Sequence, residues 1–380
     1  MLGATLLRNC SQLLLRVASS RPVVQFGSLT RARDYHHCSM ELQLIVTRLH
    51  EMFPPSLAGN WDNVGLLVEP SSQEQPVSHI MMTNDLTEDV MDEVQAASPQ
   101  VGLIVAYHPP IFKPLKSLTR RTAKERIILK AVESRIAIYS PHTAADSVYG
   151  GVNDWLAAGL GEGECTPLQP TPPSYEVRAE HVSSEMCEVM SDEVALCGGK
   201  LVKKLRDDSS YEVLVRCRLD RLSQVYTLLC GKLTSQNISI SQVAKENTKG
   251  SGVGRKLLLN TPVSLSEFVV RVKNYLGLPS IRLARGRNCE DSFMVKSVAV
   301  CAGSGASVLC GVSADVYLTG EMSHHEVLDA TSRGMSVILC EHSNTERGYL
   351  AKIKDNLQQA LGSDIKISLS LKDHDPLITV

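Results

Sequence analysis

The hydrophobic positions in the first part of the chain alternate between helical spacing and short continuous apolar runs. Residues 41–53 (ELQLIVTRLHEMF) have apolar positions at helical spacing, and the two prolines that follow end the predicted helix. The segments HIMMTND, VGLIVAYH and RIAIYSPH are typical of strands, the last two of strands buried on both faces. Between them, TEDVMDEVQAA and AKERIILKAVES predict helices. Strands and helices in this order indicate a parallel sheet with covering helices.

The pattern changes at residues 165–174 (CTPLQPTPPS), which are rich in proline. We interpret this segment as a linker that cannot continue a sheet. After it, YEVLVRCR, RLSQVYTLLCGKL and ISISQVAKE predict a strand–helix–strand unit, which we interpret as a small α+β insert. The α/β pattern resumes after GSGVGR, with a helix in SLSEFVVRVKNYLG and strands in SVAVCAGSG, ADVYLTGE and MSVILCEH.

The predicted fold class is therefore α/β, with two α/β halves, mostly parallel central strands and a small α+β insert. The predicted boundaries are 1–39 for a leader, 40–164 for the first half, 165–246 for the linker and insert, and 247–380 for the second half. We expect the second half to complete a single core that contains a metal site.

Composition and charge exclude several classes of function. The chain is 43% hydrophobic and 21% charged, with a net charge of −2, so it lacks the basic excess expected for direct binding of nucleic acid. No apolar run reaches the roughly 20 residues of a membrane-spanning helix, and we expect no membrane partner. The eleven cysteines are scattered without a CxxC pair, which favours buried apolar side chains over disulfides or zinc ligands.

The first 33 residues differ in composition from the rest of the chain. They contain five arginines among leucines and serines, but no Asp or Glu. This composition is typical of a mitochondrial presequence, with a basic tail as the alternative. A product that begins at Met40 would lack this signal, so we expect cytoplasmic and nuclear forms besides the mitochondrial one.

Four apolar strands end on a residue that can bind a metal ion. These residues are His108, His142, Glu321 and His342. A single His at a strand end is more often structural. However, the carboxyl ends of parallel strands line a common crevice, so four such endings favour a shared site.

Three of these residues are followed four positions later by a second candidate ligand. The second candidates are Asp146, His325 and Glu346. Residues four apart on a helix lie on the same face. Histidine and carboxylate ligands without thiolate favour zinc, manganese, iron or cobalt. A carboxylate such as Glu346 can bridge two ions, and such a pair can activate water for hydrolysis near neutral pH. In that arrangement Glu321, His324 and His325 would orient ligands or transfer protons.

Several separated segments of the chain resemble the signatures of a known family. YHPPIFKPL, SPHTAAD with GVNDWLA, TGEMSHHEVLDA and EHSNTERG occur in order, together with WDNVGLLVE and GSGVGR. They resemble segments of the NIF-three-like family, catalogued as GTP cyclohydrolase one type two homologues. The resemblance covers most of residues 41–380 and does not include the leader or the insert.

This resemblance implies a di-metal site held by a His-His pair, an Asp and a His-x-x-x-Glu. Carried over by position, the ligands are His108, Asp146, His342 and Glu346. The first His of the pair is Tyr107 in this chain, and a phenol with a pKa near 10 is a poor ligand. We therefore expect one ion per chain, a weakly bound second ion, or recruitment of His142 as a further ligand.

The resemblance also implies two classes of function. The first is a metal-dependent hydrolase that acts on a nucleotide or small heterocycle. The alternative is a non-catalytic metal-handling or scaffold protein that binds transcription regulators. In either case the family implies a homo-oligomer, ring-like, with the metal sites facing its interior.

Overall fold

The computed structural model describes residues 40–71, 76–197, 199–233, 238–243 and 250–378. The predicted leader, residues 1–39, lies outside them. The described part of the chain has a mixed α/β fold with eleven α-helices, two large sheets, one smaller sheet and a two-stranded ribbon. The α/β class predicted from the sequence is confirmed. No helix in the described ranges is long and apolar enough to cross a bilayer.

The α-helices are, in chain order, α1 (Leu42–Met52), α2 (Glu88–Ala96), α3 (Ala123–Glu133), α4 (His142–Ser147), α5 (Val152–Ala158), α6 (Ser184–Leu196), α7 (Leu219–Lys232), α8 (Leu265–Leu276), α9 (Ala306–Leu309), α10 (His324–Ser332) and α11 (Tyr349–Leu361). The strands are β1 (Met40–Glu41), β2 (Gly65–Val68), β3 (Pro76–Val77), β4 (His79–Thr83), β5 (Leu103–Ala106), β6 (Ala137–Ser140), β7 (Gly163–Pro170), β8 (Ser174–Val182), β9 (Lys200–Leu205), β10 (Tyr211–Arg218), β11 (Ile238–Gln242), β12 (Gly252–Ser264), β13 (Arg282–Ala284), β14 (Met294–Ser304), β15 (Val316–Glu321), β16 (Ser336–Leu339) and β17 (Lys366–Leu369).

The first large sheet has the strand order β17-β4-β5-β6-β2. Strands β17, β4, β5 and β6 are parallel, and β2 runs antiparallel to β6. Every residue of β4, β5 and β6 is buried, which explains their continuous apolar sequences. Strand β17 comes from the end of the chain, so the two halves predicted from the sequence share this sheet.

The second large sheet has the strand order β13-β16-β15-β14-β12-β7. Its three central strands, β14, β15 and β16, are parallel, and the outer strands are antiparallel. The prediction that residues 165–174 cannot continue a sheet is wrong for their first part, because Gly163–Pro170 form β7. This strand lies at the edge of the sheet and, among the described residues, pairs with β12 alone. Proline has no N–H to donate, and an edge strand tolerates it because no second strand requires that hydrogen bond.

The smaller sheet lies between β7 and β12 in the sequence. Strands β11-β8-β10-β9 are antiparallel, and helices α6 and α7 pack on them around a separate hydrophobic cluster that includes Val177, Met190 and Leu229. At its base, Thr171 N donates to Ser251 O at 3.0 Å. The two chain segments that connect the smaller sheet to β7 and β12 therefore lie side by side.

One hydrophobic cluster joins the two large sheets. It contains Val105 of the first sheet and Leu318 of the second, together with Leu49, Phe268 and Ile353 from helices. Because protein interiors are close-packed, this shared core fixes the carboxyl ends of the two sets of parallel strands relative to each other.

Candidate metal centre

Three predicted ligands meet where the two large sheets come together. His108 follows β5 of the first sheet, whereas His342 and Glu346 follow β16 of the second. A short 3-10 helix, Ser343–Thr345, separates His342 from Glu346. One ligand atom from each of the three side chains lies within 4.8 Å of the others. These residues form a group suited to hold a metal ion.

Each histidine nitrogen lies close to one oxygen of Glu346. His108 Nε2 lies 3.2 Å from Glu346 Oε2, and His342 Nε2 lies 3.5 Å from Glu346 Oε1. Bonds of about 2.0–2.1 Å to zinc place tetrahedral ligand atoms about 3.3 Å apart. The two observed contacts have about this length but involve different oxygens of Glu346, so the carboxylate or the rings would have to shift for one ion to bind all three groups.

Glu346 is the most buried member of the group, with 3% of its surface exposed. Asn84 Nδ2 donates to its Oε2 at 3.2 Å. Burial opposes ionisation, but the close contact with His108 Nε2 and the charges of His108 and His342 lower the pKa of Glu346. The site therefore contains an ionised, buried carboxylate between two imidazole rings.

His108 lies between two carboxylates, and its Nδ1 is 2.9 Å from Asp85 Oδ1. Burial works against its protonation, yet Asp85 and Glu346 raise the pKa of His108 to about 10. The other ring nitrogen, His108 Nε2, is buried and lies 3.2 Å from Glu346 Oε2, but the geometry is not that of a hydrogen bond. A cation that displaces the His108 proton would satisfy this nitrogen, so the donor set fits a divalent metal ion.

Three histidines at the site share one arrangement. Each has a carboxylate on Nδ1: His108 with Asp85 at 2.9 Å, His142 with Asp62 at 2.7 Å, and His342 with Glu321 at 3.3 Å. A carboxylate at one ring nitrogen fixes the ring and leaves the other nitrogen for a metal, as in carboxylate–histidine–metal triads. The His142 ring lies 5.4 Å from the His108 ring, which places it beside the group of three.

The backbone is strained at two of the strand ends that form the site. His142 has φ = 29° and Glu341, directly before His342, has φ = 64°. Non-glycine residues in this region cost about 1–3 kcal/mol each and concentrate at functional sites. Gly303 lines the other side, where an added Cβ would lie 2.7 Å from Glu346 Oε1 and 3.0 Å from His342 Nε2. The absence of a side chain at Gly303 thus leaves space for the two ligands.

Asp146 and Tyr107 form a separate pair beside this group. The Tyr107 hydroxyl donates a short hydrogen bond to Asp146 Oδ1. Burial and the negative charge of Asp146 raise the pKa of Tyr107 far above its ordinary value, so the phenol stays protonated. Burial and the charge of Glu346 raise the pKa of Asp146 to about 6, despite the hydrogen bond from Tyr107. Asp146 therefore lies beside the group of three, and its Oδ1 accepts a hydrogen bond from Tyr107, which occupies the sequence position where the resemblance implies a ligand histidine.

The remaining predicted residues have different positions. Glu321 Oε2 lies 3.3 Å from His342 Nδ1. His324 and His325 begin α10, are exposed, and contact each other at 5.5 Å between ring centroids. No contact of either ring with the group of three occurs among the described residues.

Sequence reasoning missed Asn84, Asp85 and Asp62. These residues contact Glu346, His108 and His142, respectively. Asn84 and Asp85 end HIMMTND, directly after the buried strand β4. The strand-end argument that identified the histidines would also have found Asp85. Asp62 lies in the WDN segment, and only its contact with His142 shows its role.

The centre opens into a cavity of about 760 Å³. His108, His142 and His342 line it, together with the aromatic side chains of Trp61 and Phe112 and residues 372–377, except Asp373, near the end of the chain. A second cavity of about 480 Å³ borders Asp146 and Glu346. The ligands are thus accessible to small molecules.

Comparison with known proteins identifies the family of this chain. The family model Duf34/NIF3 (NGG1p interacting factor 3) matches residues 40–376. NIF3-like protein 1 of Rattus norvegicus is 43% identical over 353 residues, covering 90% of this chain and 93% of the relative. NGG1-interacting factor 3 of Saccharomyces cerevisiae is 31% identical, covering 89% and 96%. The crystal structure of a Bacillus cereus protein related to NIF3 has a TM-score of 0.65 at 24% identity, covering 90% and 100%. The chain belongs to the NIF3 family.

Proposed function

We propose that this protein binds a divalent transition-metal ion through His108, His342 and Glu346 and is a metal-dependent hydrolase of a nucleotide or small heterocycle. The observation that carries the proposal is the buried Glu346 carboxylate between two imidazoles, each of which has a carboxylate on its far nitrogen. An ion held there would activate water and polarise the substrate. Zinc, manganese, iron and cobalt all suit this donor set.

The access to the ligands supports a catalytic rather than a structural site. Structural zinc sites are closed by four protein ligands, whereas catalytic sites have three and leave one position open. Here His108 and His342 line a cavity of about 760 Å³, which is within the usual range for small-molecule sites, and Glu346 borders the second cavity. His142 and Glu321 line the larger cavity and can accept or donate a proton there.

We further propose that a second ion binds weakly or not at all. Asp146, the ligand that the family would use for it, is hydrogen-bonded to the Tyr107 phenol. A second ion would have to break this bond and would lack the imidazole that the family has at that position.

Elemental analysis of the purified full-length chain tests the metal proposal. We expect close to one transition-metal ion per chain, lost in Glu346→Ala and retained in His325→Ala. His325 is a suitable control because it is an exposed histidine outside the group of three. Equal metal content in wild type and Glu346→Ala would refute the site. Hydrolysis of nucleotides should then follow metal content across the three proteins.

A second candidate function is that of an interaction partner. The yeast relative is named NGG1-interacting factor 3, and we propose that this chain binds a corresponding transcription regulator. Purified NGG1 homologue and this chain should then co-elute in size-exclusion chromatography. If they elute separately at micromolar concentration, this candidate is wrong.

The homo-oligomer implied by the family is a further proposal. Light scattering of the purified chain should give a mass of several subunits. A stable monomer at micromolar concentration would contradict it.

A further inference from the structure

Two exposed aromatic side chains form one wall of the large cavity beside the metal centre. Trp61 is 67% exposed and Phe112 is 37% exposed. Their rings are in edge-to-face contact, with centroids 5.9 Å apart. Tryptophan is highly buried on average, so an exposed one at the edge of a cavity suggests a binding role.

The aromatic wall lies next to the metal ligands. The centroid of the His142 ring is 6.2 Å from Trp61 and 6.1 Å from Phe112, and His142 in turn lies 5.4 Å from His108. A molecule that contacts these rings is thus one side chain away from the group of three.

Neighbouring contacts hold Trp61 in place despite its exposure. Its indole ring lies against the backbone of Gly59, where an added Cβ would be 2.9 Å from the ring. Asp62 N donates to Gly59 O at 3.0 Å, and the buried Asp62 carboxylate binds His142 and Thr143. The WDN segment therefore connects the position of Trp61 directly to a histidine of the site.

The third residue of the same segment connects the second aromatic ring. Asn63 Nδ2 donates to the carbonyl oxygen of Ile111, the residue before Phe112. The segment that connects His108 to Phe112 contains Pro109 and Pro110, and the fixed φ of proline limits the conformational freedom of this segment. Trp61 and Phe112 are thus fixed relative to each other and to the ligands.

We infer that Trp61 and Phe112 bind the flat face of an aromatic heterocycle of nucleobase size and present it to the metal centre. This inference rests on the proposed function and deepens it, because it assigns the residues that position the substrate. A planar ring can stack on one aromatic side chain and contact the edge of the other. Pro109, Pro376 and Leu377 line the same cavity and add apolar surface against which a planar ring can pack.

Binding of nucleosides to the metal-loaded full-length chain tests this assignment. The probes are adenosine, inosine and cytidine, with ribose as a matched control that lacks the base. The chain has two tryptophans, Trp61 and the partly buried Trp155. We expect at least one nucleoside to quench tryptophan emission, and ribose to leave it unchanged. If none of the three nucleosides binds at millimolar concentration, the inference is wrong.

Two substitutions at Trp61 separate stacking from simple apolar contact. Trp61→Phe keeps an aromatic ring, so calorimetry should still detect binding, while the emission of the remaining Trp155 stays constant. Trp61→Leu keeps an apolar side chain without the ring, and we expect affinity to fall about tenfold to a hundredfold. Equal affinity of the Leu and Phe variants would overturn the stacking role.

The metal content of each sample distinguishes this inference from the proposed function. Both Trp61 variants should contain as much metal as wild type. If the chain holds no metal but nucleosides still bind through Trp61, the proposed function fails and the aromatic site remains. If tryptophan emission depends on protein concentration and not on nucleoside, the wall is an interface between copies of the chain and the inference is refuted.

Discussion

Three carboxylates near the centre should affect metal affinity to very different extents. Glu346 is buried and contacts both histidines of the group. Glu321 is half-exposed, and its Oε2 lies 3.3 Å from the Nδ1 of His342. Glu341 lines the same cavity but pairs with Arg282 at 2.8 Å. Replacing each of them by Gln keeps the side-chain volume and removes one negative charge.

The structure sets the size of each effect. Breaking a buried charged group away from its partners costs about 3–5 kcal/mol, so Glu346→Gln should weaken metal binding by about two to four orders of magnitude. Loss of a residue that only orients a ligand costs about 10–100-fold, which we expect for Glu321→Gln. Glu341→Gln is the control, and its affinity should be within about twofold of wild type because a surface ion pair contributes little.

Competition with a chromogenic zinc chelator measures the three affinities on the full-length chain. Urea denaturation of the metal-free proteins checks that each variant folds. The order Glu346→Gln, Glu321→Gln, Glu341→Gln, from weakest to strongest binding, is the expected result. If Glu346→Gln binds zinc as tightly as Glu341→Gln does, Glu346 is not a ligand and the proposed centre is refuted.

Three further predictions concern the neighbouring pair, the pH dependence and the smaller sheet. Tyr107→His should raise the number of ions per chain, because imidazole binds metals near neutral pH and phenol does not; an unchanged count in elemental analysis would contradict this. Burial raises the pKa of Asp146 from 3.8 to about 6, so the folded metal-free chain takes up this proton before the unfolded chain does. As pH falls from about 6 to about 4, this group should therefore increase the free energy of unfolding, and urea titrations should show no such contribution in Asp146→Asn. Deleting residues 172–250 and joining the hydrogen-bonded ends by a short Gly-Ser link should leave a folded chain in thermal circular dichroism, whereas deleting 165–246 removes most of β7 and should destabilise it.

Most residues of the centre could be predicted from the sequence because buried strands and metal-binding side chains differ in composition. A strand buried on both faces is apolar throughout, so a polar residue directly after it is conspicuous. His108, His142 and His342 all follow such strands, and the structure places their rings together. The parallel arrangement explains this agreement for His108 and His142, whose strands end on the same edge of the first sheet, and the core shared by the two sheets brings His342 beside them.

Other features depend on pairing partners that a local pattern does not contain. β7 contains prolines that indicate a linker, and it forms a strand because only one of its edges is paired. β17 lies at the end of the chain and pairs with β4, nearly 290 residues earlier. The hydrogen bond from Tyr107 to Asp146 likewise joins residues 39 positions apart, and no periodicity predicts it.

The balance of charge at the centre favours one ion over two. Glu346 and Asp85 both have lowered pKa values and flank His108, so they contribute two negative charges close together. These two carboxylates raise the pKa of His108, so in the metal-free protein His108 holds a proton, which offsets only one of the two negative charges. A single divalent ion with neutral His108 offsets both. A second divalent ion would add two positive charges against Asp146 alone, since the Tyr107 phenol remains neutral. The tyrosine thus supplies neither an imidazole nor a negative charge to a second ion, so the first position should fill before the second at any metal concentration.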